Sequence, residues 1–135
     1  MRTHVEFKSD AFPPEKGEEA RVNPGRWGKR LAEYLRSHLT TSGLACGEPF
    51  PKDWGWCLPI ENPGFSLWVG CGNYEEHAEG FLCFIEPSKP IIRKLLMKID
   101  TRKRVAEVAD AIDKALSSNS RVREVRWWTE SEVSR

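Results

Sequence analysis

The sequence predicts an α+β fold, a mostly antiparallel sheet with helices packed on one face, and three observations predict it. The stretch from Asp53 to Glu86 alternates apolar and other residues in three successive runs, as a strand meander does. Segments on either side of it carry apolar residues at helical spacing, and shorter alternating runs stand near both chain ends. The chain has 135 residues, 39% of them apolar, with six Trp and six Phe, enough to bury one hydrophobic core and too apolar for disorder. A single domain over 1–135 is expected, with 129–135 as a frayed tail.

The expected element order is β-α-β-β-β-α-α-β. Val5 and Phe7 alternate with His4, Glu6 and Lys8, the period of a half-buried strand. After a polar, Pro-containing stretch, Asn23-Pro24 reads as a helix N-cap followed by Pro at the first helical position. That helix runs to about Ser42, with Trp27, Leu31, Leu35 and His38/Leu39 on its apolar stripe and Gly43 as its stop. In the meander, Trp54, Trp56, Leu58 and Ile60 form the inward set of the first strand, and Glu61-Asn62-Pro63-Gly64 is the expected turn. This turn pairs Ile60 with Phe65, Leu58 with Leu67, Trp56 with Val69 and Trp54 with Cys71. The next hairpin pairs Val69 with Ile85 and Cys71 with Cys83, which keeps the apolar set on one face.

Beyond Pro87 and Pro90, the residues Ile91, Ile92, Leu95, Leu96 and Ile99 read as a short helix with Arg93, Lys94 and Lys98 on its outside. Asp100 or Thr101 caps a second helix striped by Val105, Val108, Ala109, Ile112 and Leu116. Arg121 to Trp128 is the last strand, with one ring of Trp127-Trp128 turned inward and the other left at the surface.

Composition narrows the function classes. The longest clean apolar stretch, Phe81–Ile85, falls far short of the roughly 20 residues of a membrane span, so no membrane association is expected. The first ten residues carry no export-signal pattern, which points to a bacterial-type cytoplasmic protein. Net charge is +1, and although Lys and Arg gather after residue 88, acidic residues dilute them, so nucleic acid is not an expected partner.

Cys46, Cys57, Cys71 and Cys83 contain no CxxC pair and read as free thiols, with Cys46 the most exposed; neither metal nor cofactor is expected. Gly70-Cys71-Gly72 ends a strand and opens no helix, unlike a phosphate loop. His77 stands among Glu75, Glu76 and Glu79, which would raise the affinity of a base for its proton, but no nucleophile is tied to it. With no catalytic constellation, the sequence leans away from an enzyme.

The second face of the meander is the remaining signal. It collects Cys57, Pro59, Trp68, Gly70, Gly72, Leu82 and Phe84, an apolar set for a face that should meet water. Trp68, Leu82 and Phe84, with Trp128 near the sheet edge, are therefore the candidate contact residues for another protein or a second copy of the chain. The alternative is a small enzyme or anionic-ligand-binding domain, with a pocket near His77 and the basic residues Arg93, Lys94, Arg102 and Arg104 as its candidate anion-binding group.

Overall fold

The alternating segments of the chain assemble one six-stranded sheet, in a computed structural model that describes residues 1–74 and 77–133. The elements are β1 (Arg2–Ser9), α1 (Glu18–Arg21), α2 (Lys29–Thr41), β2 (Phe50–Lys52), β3 (Gly55–Ile60), β4 (Leu67–Asn73) and β5 (Gly80–Glu86). They continue with β6 (Ile91–Lys94), β7 (Met97–Asp100), α3 (Arg102–Ser117), β8 (Val122–Thr129) and α4 (Glu130–Val133). Strand order is β2-β3-β4-β5-β1-β8, and each neighbouring pair is antiparallel. The fold is thus α+β with a mostly antiparallel sheet, as the alternation predicts.

The inner face of the sheet carries Val5 and Phe7 from β1, Trp56, Leu58 and Ile60 from β3, Leu67, Val69 and Cys71 from β4, and Phe81, Cys83 and Ile85 from β5, all buried. Against it lie Leu31, Leu35 and Leu39 of α2 and Val105, Val108, Ile112 and Leu116 of α3, the stripes that the helical spacing selects. Tyr34 Oη donates to the Ala115 carbonyl at 2.6 Å and ties the two helices together. Trp127 turns inward at the sheet edge, where its Nε1 donates to Asp113 at 2.9 Å.

Four differences from the sequence reading have physical causes. Helix α2 starts at Lys29 rather than Pro24, because its first turn is capped from outside: the buried Glu18 carboxylate accepts the N–H groups of Gly28 and Lys29 at 2.8 and 2.9 Å. The freed segment before it is held by Asn73, which accepts from Trp27 N–H at 2.9 Å and donates to the Gly25 carbonyl at 3.0 Å. In the meander, Ile60 pairs with Leu67, Leu58 with Val69 and Trp56 with Cys71, a slip of two residues from the expected register. Asn62 Nδ2 donating to the Phe65 carbonyl closes a longer connection than the expected turn, and a slip of two leaves the same side chains inward.

Trp54 leaves the inner face altogether. It sits in the tight turn between β2, an edge strand not expected from sequence, and β3, next to Gly55 at φ 152°. A side chain on Gly55 would lie 2.3 Å from the Cys71 carbonyl, so only glycine passes there, and Trp54 is released from the strand alternation.

Residues 91–99 are not a helix but the β6–β7 hairpin, in which Ile92 pairs with Ile99 and Lys94 with Met97. Thr101 N–H donates to the Pro90 carbonyl at 2.9 Å and its hydroxyl to the Lys89 carbonyl, which brings the two ends of the segment together. A helix over those residues would hold its ends about 13 Å apart.

Candidate functional site

Because α2 and α3 both pack on the inner face, none of the longer helices covers the outer one. The pairing registers place one row of residues across its full width: Phe50, Cys57, Gly70, Phe84, His4 and Trp128, one from each strand in spatial order. At the spacing of neighbouring strands this row is about 24 Å wide. A second row, Gly72, Leu82, Glu6 and Arg126, runs beside it, and Pro59, Trp68 and Glu86 form a third.

Glycine gives the row its relief. The Phe84 ring lies on Gly70, where an added Cβ would sit 2.2 Å from the ring, and Trp54 folds back from its turn to meet it. Trp54 stacks on Trp68 with centroids 5.9 Å apart and lies 4.9 Å from Phe84, while Trp68 meets Phe84 edge-on at 5.7 Å. On the other side His4 stacks on Phe84 at 6.0 Å, and beyond it the Arg126 guanidinium covers the Trp128 ring at 4.1 Å. These aromatic side chains are half-buried and pack against one another.

The electrostatics of the face follow from that partial burial. Desolvation pushes the His4 imidazole below its ordinary value, against the opposing pull of the Glu130 carboxylate. Desolvation likewise pushes the Glu86 carboxyl up, with Glu130 adding to the effect and a hydrogen bond from Ser88 opposing it. Desolvation thus shifts both groups toward their neutral forms.

The remaining sequence candidates lie elsewhere. Arg102 pairs with Asp100, and Arg104 donates to Glu107, Asn62 and the Glu61 carbonyl, while Arg93 and Lys94 are exposed on β6. Cys46 is half-buried with its thiol pushed up by burial, and Cys57 lies beneath the outer face with its thiol raised to about 11 for the same reason. Cys71 and Cys83 face each other on the inner side, where their mutual hydrogen bond and burial hold Cys71 protonated. His38 is half-buried on α2, its ring tilted against that of Tyr34 with centroids 4.3 Å apart.

His77 is exposed and its Nδ1 accepts the Glu79 N–H at 3.1 Å; Glu75 and Glu76 lie outside the described residues. It borders a shallow depression of about 540 Å³ beside the aromatic rows, lined also by Glu6, Lys8, Tyr74, Glu124 and Arg126. Tyr74 donates to Glu6 there at 2.8 Å. The depression lies between β1, β5 and β8, away from Arg93, Lys94, Arg102 and Arg104.

Trp54, Phe50 and His4 belong to the face but not to the set that alternation selects. The one sequence signal for Trp54 is Gly55 beside it; the alignment of His4 with Phe84 and Trp128 depends on strand order, a long-range property. Fold and face together define an antiparallel α+β module with an aromatic outer sheet face. The chain matches no protein-family model, and no curated protein or solved structure matches it either.

Proposed function

We propose that the chain is a bacterial-type cytoplasmic binding module whose outer sheet face docks another protein, with Trp54, Trp68, Phe84 and Trp128 as anchors. One observation carries this reading: a row that crosses all six strands, with rings from four of them (Phe50, Phe84, His4 and Trp128), lies on the side that α2 and α3 leave uncovered. Trp and Arg are the residues that most often dominate protein interfaces, and Arg126 on Trp128 supplies such a pair at the rim. The rings pack against each other across neighbouring strands, an extended surface that suits a protein better than a small ligand. The Glu6 carboxylate on the same face disfavours a nucleic-acid backbone.

The reading is non-catalytic, and it accords with the thiols of Cys46, Cys57 and Cys71, which are held toward the protonated form. The experiment that tests it places a photocrosslinking residue at Ser66, exposed two residues before Trp68, and, as a control, at Lys103 on the exposed side of α3. A discrete adduct with another protein from position 66 alone supports the reading. No adduct, or the same adducts from both positions, removes it.

The depression bordered by His77 favours a second reading, a site for a small anion held by Lys8 and Arg126. Arg126→Ala would then abolish binding of a small anion that Trp68→Ala leaves intact.

A further inference from the structure

The β6–β7 hairpin stands apart from the large sheet and pairs only with itself. Its tip is the most exposed apolar feature among the described residues: Leu95 is 95% exposed, Leu96 99% and Met97 68%, with Ile91 half-exposed below them. Two choices in it work against folding. Leu95 adopts φ 58°, the left-handed region where a two-residue hairpin turn wants Asn, Asp or Gly. Arg93 and Lys98 sit directly opposite each other, a like-charge pair across the strands. Neither choice has a compensating contact among the described residues, so each points to something outside them.

The charge around the tip says what that is. Lys94 flanks the leucines and Arg93 and Lys98 stand one step further down, while Lys89 and Lys103 are exposed at the base. Asp100 is the only acidic residue from Lys89 to Arg104, and Arg102 already pairs with it.

We infer that this hairpin anchors the protein to the surface of an anionic bilayer, with Leu95, Leu96 and Met97 entering the boundary between headgroups and acyl chains and Arg93, Lys94 and Lys98 meeting the lipid charges. A narrow apolar tip suits this occupant better than a protein, because a stable protein interface needs about 800 Å² from each side and the turn of one hairpin supplies a fraction of that. The expectation of no membrane association rested on the lack of a spanning segment. No helix among the described residues is long and apolar enough to cross a membrane, and surface anchoring by a hairpin needs none. The inference is independent of the outer sheet face and of its proposed partner.

The test is co-sedimentation of the full chain with phosphatidylcholine vesicles, with and without about 30 mol% phosphatidylglycerol. The wild type should partition onto the anionic vesicles and far less onto the neutral ones. Leu95→Asn with Leu96→Gly keeps every charge and installs a favoured hairpin turn, so it should fold; it should lower the partition coefficient at least about tenfold. Arg93→Glu with Lys98→Glu should lower it comparably, with the circular dichroism spectrum unchanged in both. Failure of the wild type to bind anionic vesicles, or full binding by either double variant, overturns the inference.

Discussion

The inner and outer faces of the sheet are both apolar at their centres, yet they close in opposite ways. On the inner face Phe81 stacks on Phe7 at 5.7 Å and meets Phe12 edge-on at 5.8 Å, under helices that exclude water. On the outer face Phe84 makes equally close ring contacts, but with Trp54, Trp68 and His4, all of which remain partly exposed. An antiparallel sheet with helices on one side ordinarily turns polar residues to the other. A chain that places aromatic rings there, and glycines beneath them, has departed from the pattern that stability alone requires.

The comparison can be broken most forcefully from the inner side. Phe81→Ala should cost about 3–5 kcal/mol in urea unfolding, because the emptied space is sealed on all sides. Phe84→Ala should cost clearly less, since water can enter where the ring was. Equal costs would mean that the outer face is covered in solution.

Gly70→Ala comes next. The new methyl group collides with the Phe84 ring and should cost about 1–3 kcal/mol. Combined with Phe84→Ala the loss should shrink, and a double-mutant cycle with no coupling would show that the ring does not rest on the glycine. A smaller loss, about 1–2 kcal/mol, is expected from Glu18→Ala, which uncaps α2 without touching either face.

The smallest effect is one of pH. His4 has its folded pKa pushed below the ordinary 6.5, so the unfolded chain binds its proton more readily. Stability should fall as pH drops through 6.5 and level off below the folded pKa. Glu86, whose folded pKa lies above 4.5, works in the opposite sense: its contribution to stability should rise as pH falls from the folded value toward 4.5. His4→Gln should remove the first slope and leave the second, as chemical denaturation at stepped pH would report.

How far the sequence reveals all this varies by residue. The opposition of Cys71 to Cys83 and of Gly70 to Phe84 is legible, because strand alternation fixes parity and a connection centred on His77 sets the register within it. The first hairpin of the meander keeps its parity while its register slips by two, which the ambiguous connection after Ile60 permits. Trp54 is hidden by the turn it occupies, and Glu18 by acting on a helix start ten residues away. The β6–β7 hairpin is illegible for a sharper reason: Leu95-Leu96 carries none of the residues that mark a turn, so its apolar spacing fits a helix equally well. The row through Phe84, His4 and Trp128 depends on β1 lying between β5 and β8, which no local pattern encodes.

The central claim, that the outer face is a protein-docking surface, is tested most directly by native mass spectrometry of the protein purified gently from its own source, as wild type and as Trp128→Ala. The account predicts a complex with another protein in the wild type and its loss in the variant, whose ring lies at the rim where removal leaves the core untouched. A bare monomer from both preparations, or a complex that survives Trp128→Ala combined with Trp68→Ala, would contradict it.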